Sequence, residues 1–288
     1  MTSTSRKLIG SLISAIAIGS TPLAMAAPQF TIDLAAVLGG SSQEISGDFF
    51  VGSSTEMLTT SGNNHSGSGW MQIASLTKDA VTQAGFGTYV GAPLNLYVTF
   101  TLKDTLASGT MNAAGSTYNV TELNFLFWAD PTKNTTLTKA SIALDGTASS
   151  ASIGGTTSDD ILLGFGSLIT GTAGLTNQGG AYLNSINAFG LCTGSGTGSI
   201  GDNAVPFAGC QTNAGSKFFI DPVPFYELAF TEFNNTAQGY SIGNNNELVI
   251  NSASGGVDFN RIPEPASAAL AGLALLGLGI SRRQSKTK

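Results

Sequence analysis

The chain has 288 residues, of which only 10 % are charged and 37 are glycine. Soluble domains usually carry about 25 % charged residues, so this is not the composition of a typical soluble enzyme. One histidine and two cysteines leave too few ligands for most zinc sites, and any histidine-dependent nucleophilic dyad would have to use the single histidine, His65. The formal net charge of −6 disfavours nucleic acid as a partner. We therefore predict no cofactor, no bound metal and no nucleic-acid partner.

The N-terminus has the pattern of a secretory signal peptide. Arg6 and Lys7 precede an apolar stretch over residues 8–18, and Ala24 and Ala26 supply the small residues that favour cleavage after Ala26. The apolar stretch is shorter than the about 20 residues that a membrane-spanning helix needs. We therefore predict that residues 1–26 direct export through the Sec machinery and are then removed.

Residues 27–262 carry most of the acidic side chains. Six Lys and Arg stand against 17 Asp and Glu there, a formal net charge of −11. Such a surface repels nucleic acid and anionic lipid and suits an extracellular setting. Because the composition changes nowhere abruptly and no repeat of fixed period occurs, we expect a single domain.

Strand patterns dominate this domain. In residues 95–102, for example, Leu96, Val98 and Phe100 alternate with polar or aromatic residues, as in a half-buried strand. Further strands are predicted over 118–128, 137–144, 161–169, 225–233, 247–250 and 257–259. Short strands separated by turn signals predict a mainly β fold, a single antiparallel β-sandwich or jelly-roll-like domain.

Glycine-rich and serine-rich segments over 61–69 and 194–201 are predicted to be loops. His65 falls in the first of them, so we expect an exposed histidine without a catalytic role. Residues 71–84 carry the one faint helical periodicity of the domain.

Cys192 and Cys210 are the two cysteines of the chain. A signal peptide sends the chain to an oxidising compartment, so we expect them to form a disulfide. Their spacing is far from C-x-x-C, which disfavours a metal or redox role.

We predict no catalytic residues, although carboxylates alone suffice for glycoside hydrolysis. Glu122, Glu227 and Glu232 lie in strand-like segments and stay open as candidates. Glu227 and Glu232 would point to opposite faces of one strand, which makes them a poor pair.

Two binding roles are weaker alternatives. Sugar rings stack on aromatic side chains, but buried core positions are the simpler interpretation of the candidate platforms Trp70, Trp128 and Tyr97. Calcium would need clustered oxygen ligands, and the sparse carboxylates lack a ligand-loop spacing; these are Asp159, Asp160, Asp202 and Asp221.

The C-terminal residues 263–288 combine three features in a fixed order. The tripeptide Pro263, Glu264 and Pro265 is followed by an apolar segment over 266–280 and by a basic cluster of Arg282, Arg283 and Lys286. A helix of that apolar length spans about 22 Å, which is marginal for crossing a bilayer. The basic cluster would stay on the cytoplasmic side. The segment therefore predicts a short membrane anchor, with the tripeptide extended and open to a protease.

This tail closely resembles the PEP-CTERM sorting signal of Gram-negative bacteria. The resemblance implies that the chain sits transiently in the inner membrane. An exosortase then cuts near the tripeptide and passes the protein to the cell surface or extracellular matrix. An uncut tail anchor is the alternative.

Segments of the mature domain resemble flocculation-associated PEP-CTERM proteins; they are residues 158–164, 180–185, 218–226 and 230–236. This resemblance implies a non-enzymatic matrix protein that associates with exopolysaccharide and promotes cell aggregation, floc or biofilm formation. A secreted carbohydrate-binding module and a carboxylate-dependent glycan-processing enzyme are the alternatives.

Overall fold

A computed structural model describes residues 28–87, 94–235 and 239–260. Strands account for 63 % of it and helices for 5 %, which confirms the mainly β prediction. In chain order the elements are β1 (Phe30–Asp33), α1 (Ala35–Leu38), β2 (Glu44–Gly47), β3 (Phe49–Ser61), β4 (Asn64–Lys78), β5 (Val81–Thr82), α2 (Ala84–Gly87), β6 (Asn95–Ser108), β7 (Thr117–Asp130), β8 (Thr135–Thr138), β9 (Ser141–Ile142), β10 (Ala148–Ser149), β11 (Ser152–Gly155), β12 (Ile161–Leu175), β13 (Ala181–Gly194), β14 (Thr197–Ile200), β15 (Asn203–Pro206), α3 (Ala214–Phe218), β16 (Phe219–Asp221), β17 (Leu228–Asn235), β18 (Tyr240–Ile242) and β19 (Leu248–Asn260).

The main sheet closes on itself, which corrects the expected two-sheet sandwich or jelly roll. Its strand order is β12-β7-β6-β4-β3-β19-β17-β13, and β13 pairs again with β12 from Gly164↔Leu191 to Leu175↔Ala181. The result is an eight-stranded antiparallel barrel. Seven of the eight strands contain 13 to 15 residues. Strands of that length can tilt and stagger around an axis, and closure satisfies both edges of the sheet.

Two segments predicted to be loops, and the segment with faint helical periodicity, form strands instead. Residues 61–69 end β3, make a tight turn at Gly62 (φ +59°) and begin β4, with Ser61 opposite Asn64. Residues 71–78 continue β4, and Val81–Thr82 form β5. Residues 194–201 contain β14. Glycine and serine favour loops, but hydrogen bonding to long neighbouring strands overrides that weak local preference here.

The barrel interior is the hydrophobic core. Inward side chains from every barrel strand fill it, with a cluster of seven phenylalanines at one end: Phe30, Phe50, Phe127, Phe189, Phe219, Phe225 and Phe259. The ring centroids of Phe189 and Phe259 are 4.8 Å apart. Gly166 makes room for such rings, because a Cβ there would overlap the ring of Phe125. The small sheet β16-β1-β2 contributes Phe219 and Phe30 to the core from outside the barrel sheet.

Two chain segments pack on the outer face of the barrel. Residues 131–160, here called the crossing segment, leave β7 and return at β12, and they contain β8 to β11. The second segment, β14 and β15, is linked back by the Cys192–Cys210 disulfide, which confirms that pairing. Both cysteines are fully buried beside Leu162 and Phe165 in a small second core.

The signal peptide (Ala24, Ala26) and the whole C-terminal tail, with Pro263, Glu264, Pro265, Arg282, Arg283 and Lys286, lie outside the described residues. Among the helices that the structure describes, none is long and apolar enough to span a membrane.

Candidate functional site

A groove of about 740 Å³ runs over the outer face of the barrel. Its floor is formed by the outward side chains of β4, β6, β7, β12 and β13. One wall is the start of β11 with Ile153, and the other carries Ile200 and Phe207. We call it the outer groove. Its volume lies within the range of small-molecule and cofactor sites, about 300–1,000 Å³.

A polar row crosses the floor of the outer groove. The strand registers place Ser68 opposite Thr101, Thr101 opposite Asn124, and Asn124 opposite Ser167. Ser68, Thr101, Asn124 and Ser167 are all exposed. Neighbouring strands are about 4.8 Å apart, so the row presents one hydrogen-bonding side chain about every 4.8 Å and extends over about 14 Å.

A second row lies parallel to the polar row, two residues along each strand; three of its four members are apolar, and we call it the apolar row. Here the registers place Trp70 opposite Thr99, Thr99 opposite Leu126, and Leu126 opposite Phe165. The ring of Phe207 stacks on Phe165 with centroids 3.9 Å apart and extends the apolar surface up the wall. Because alternate residues of a strand share a face, two parallel rows of contrasting polarity arise from sequence alternation plus register.

The crossing segment is attached firmly to the barrel surface. Trp70 Nε1 donates a hydrogen bond to the Thr138 carbonyl at 2.9 Å, and Trp70 is only 3 % exposed. At the return point the Tyr97 hydroxyl donates to Asp160 Oδ2 at 2.5 Å. Burial is the main cause that raises the pKa of Tyr97, and burial also raises the pKa of Asp160. These contacts hold the Ile153 wall in place against the floor.

The predicted aromatic platforms are therefore mostly structural. Trp70 and Tyr97 are buried, as the simpler interpretation required, and Trp128 is partly buried and stacks on Tyr97 at 6.4 Å. The partly exposed ring in the outer groove is Phe207, which the sequence analysis did not single out. Its Gly-rich and Ala-rich surroundings gave no strand or site signal.

His65 contradicts the prediction of an exposed loop residue. It lies inside the barrel and is 1 % exposed. Its Nδ1 is 2.8 Å from Asp104 Oδ1, and its Nε2 is 2.8 Å from Asn112 Oδ1. The Asn112 amide nitrogen donates to the Asn246 carbonyl, which fixes the orientation of that amide. Both ring nitrogens of His65 thus face oxygen acceptors.

With both ring nitrogens engaged by Asp104 and Asn112, His65 presents no free nitrogen to a substrate. Its neighbours belong to two turns, since Asn112 (φ +60°) follows β6 and Asn246 (φ +65°) precedes β19. Both positions favour asparagine, which tolerates the left-handed region. The network therefore ties these turns to the end of the barrel.

Glu56 completes the polar end of the barrel interior. It is 8 % exposed, and its Oε2 has no hydrogen-bond partner among the described residues. Burial and, to a lesser extent, the nearby Asp104 raise the pKa of Glu56, and His65 partly opposes them; the net result is a pKa of about 7. A cavity of about 30 Å³ beside Glu56 has room for one or two water molecules.

The other candidate carboxylates come from different parts of the chain. Glu122 is partly exposed and forms an ion pair with Lys103 at 2.7 Å, and it also accepts a hydrogen bond from Asn124 Nδ2 at 3.0 Å. Glu227 precedes β17, and Glu232 lies within that strand.

The candidate calcium ligands are also dispersed. Asp159 accepts a hydrogen bond from Thr132 Oγ1 at 2.6 Å, and this bond lowers the pKa of Asp159. Asp160 accepts the hydrogen bond from the Tyr97 hydroxyl. Asp202 lies in the turn between β14 and β15, and Asp221 ends β16. Within the described ranges, no group of three or more acidic, histidine or cysteine side chains could hold a metal ion.

The fold and site together define a closed antiparallel barrel with a two-row groove on its outer face. No protein-family profile matches the chain, and no curated protein or solved structure is significantly similar to it.

Proposed function

We propose that this chain is an exported extracellular-matrix protein that associates with exopolysaccharide and promotes cell aggregation, without catalysing a reaction. Within this proposal, an exosortase processes the tail at Pro263, Glu264 and Pro265 after Sec-dependent export and transient anchoring in the inner membrane. The mature chain then lies at the cell surface or in the matrix of a Gram-negative bacterium.

The observation that carries the proposal is the outer groove with its two rows. Sugars present hydroxyl groups at the ring edge and C–H groups on the ring face, so they require polar and apolar contacts side by side. The polar row and the adjoining apolar row supply these two kinds of contact on a rigid floor of paired strands. The Cys192–Cys210 disulfide is consistent with an oxidising destination.

Binding is favoured over glycan processing by what lines the groove. Acid–base chemistry on a glycosidic bond needs two carboxyl groups facing the substrate. The described residues that line the outer groove include no ionisable side chain. The buried acids Glu56 and Asp104 point into the barrel, away from this surface.

A deletion strain tests the role in aggregation. Full-length protein should restore cell aggregation and retain polysaccharide with the cells, whereas a chain ending at residue 262 should be exported without restoring either. Unchanged aggregation after deletion would refute the proposed role.

A matched pair of variants links that phenotype to the groove. Ile153 is 37 % exposed on the groove wall, and Ile169 is 53 % exposed on β12 and does not line the groove. We expect Ile153→Ser to impair complementation and Ile169→Ser to behave as wild type at equal protein levels. Equal behaviour of the two variants would exclude the groove as the site. A carbohydrate-binding module without a role in aggregation is the second candidate, and it would bind glycan with no change in aggregation.

A further inference from the structure

We infer that the outer groove takes a linear, uncharged polysaccharide that lies across the strands, with successive sugar units over β4, β6, β7 and β12. This inference rests on the proposed function and goes further, because it specifies the charge, shape and direction of the glycan.

The direction follows from the registers. Ser68, Thr101, Asn124 and Ser167 occupy directly opposite positions on four neighbouring strands, so the polar row is perpendicular to the strands. Hydrogen-bonding groups recur along it about every 4.8 Å. A repeating polymer matches a repeating row, whereas a compact ligand would contact only one or two of its members.

The position of the chain on the floor follows from the apolar row. A glycan whose ring edges lie over the polar row would place its C–H faces over Leu126 and against the Phe207 ring, which covers Phe165. Aromatic and aliphatic surfaces are favourable partners for such faces. Ile153 and Phe207 line the same groove and add apolar surface at its walls.

The absence of charge follows from a third row on the other side of the polar row. There Ser66 lies opposite Lys103, and Lys103 lies opposite Glu122. The Lys103 ammonium and Glu122 carboxylate are 2.7 Å apart, so the two charges compensate each other. Glu122 also accepts the hydrogen bond from Asn124 Nδ2, which orients that amide within the polar row.

The net charge of the whole domain also favours an uncharged glycan. Residues 27–262 carry a formal net charge of −11, and the described lining of the groove adds no cation to offset it. A polyuronate or a sulfated glycan would be repelled during approach and would find no counter-charge in the groove. A neutral glycan meets neither penalty.

The test compares two immobilised polymers by biolayer interferometry with the full-length protein. Hydroxyethylcellulose serves as the linear neutral polymer and polygalacturonate as the anionic one, each at about 20 mM and about 150 mM salt, between which screening changes strongly. We expect binding to the neutral polymer, with little dependence on salt, and at least about tenfold weaker binding to the anionic polymer. Stronger binding to polygalacturonate than to hydroxyethylcellulose would overturn the inference and leave polysaccharide association intact. Failure to bind either polymer would count against both the inference and the proposed function.

Two leucine variants localise the binding. Asn124 and Asn119 are exposed outward residues of β7, but only Asn124 lines the groove. Asn124→Leu should weaken neutral-polymer binding about tenfold, equivalent to about 1.4 kcal/mol, whereas Asn119→Leu should not. Equal affinities for the two variants would overturn the assignment to this row. A change in oligomeric state in Asn124→Leu with unchanged glycan affinity would indicate a second copy in the groove instead.

Chain length provides an independent measurement. With soluble β-1,4-linked glucose oligomers, affinity should rise with each added unit until the four strands are covered and then level off. An affinity already maximal for a disaccharide would contradict a chain that crosses all four strands.

Discussion

Replacing Glu56 by glutamine should remove a pH-dependent loss of stability. In the folded chain the pKa of Glu56 is about 7, against 4.5 for an ordinary glutamate, because burial and Asp104 oppose its ionisation. The folded state therefore holds a proton that the unfolded chain releases between these values, and stability must fall as the pH rises through that window. The difference between the two pKa values corresponds to about 3 kcal/mol.

The full loss of about 3 kcal/mol applies above pH 7, where Glu56 is ionised in both the folded and the unfolded state. Below about pH 4 the carboxyl is neutral in both states, so it contributes no pH dependence there. Glutamine keeps the shape of the side chain and cannot ionise. We therefore expect the stability of Glu56→Gln relative to wild type to increase by about 3 kcal/mol between pH 4 and pH 8.

Urea unfolding of the purified protein at several pH values measures this difference directly. Glu122→Gln is the matched control, because its partly exposed ion pair with Lys103 should contribute no more than about 1 kcal/mol. Parallel stability curves for wild type and Glu56→Gln from pH 4 to pH 8 would refute the reasoning. His65→Gln should steepen the wild-type fall in stability, because it removes the side chain that lowers the pKa of Glu56.

Three further changes test the packing around the barrel. Replacing Cys192 and Cys210 by serine opens a loop with a sequence separation of 18 and should cost about 3 kcal/mol, seen as a lower Tm that no longer responds to reductant; an unchanged Tm would contradict it. Gly215→Ala places a Cβ against the Leu163 carbonyl oxygen, so its free energy of unfolding in urea should fall by about 1–3 kcal/mol. The control Gly154→Ala has open space around its Cβ position and should lose less than about 0.5 kcal/mol. Trp70→Phe leaves the Thr138 carbonyl without its indole donor and should speed amide hydrogen exchange in β8 and β11 relative to the barrel strands. Equal protection of all these strands from exchange would show that this hydrogen bond does not hold the crossing segment.

The sequence by itself determined the class of the fold and much of its local structure. Alternation of apolar and polar residues correctly located β6 and part of β17, because the two faces of a strand differ in burial wherever one faces a core. β-branched, aromatic and apolar segments located β7 and parts of β12 and β19. It also led to the correct disulfide, since two cysteines allow only one pairing. The export signal and the sorting tail are sequence predictions that lie beyond the described residues.

Only the tertiary structure decided how the strands close and what they bring together. Closure depends on the pairing of β12 with β13, and a pairing partner is invisible in the periodicity of either strand. His65 illustrates the consequence: its Gly/Ser/Asn-rich neighbours are typical of a loop, yet Asp104 and Asn112, distant in sequence, fix it inside the barrel. The polar row has the same origin. Ser68, Thr101, Asn124 and Ser167 are ordinary surface residues in four separate segments, and they become one row only because the register of each strand pair sets them opposite one another.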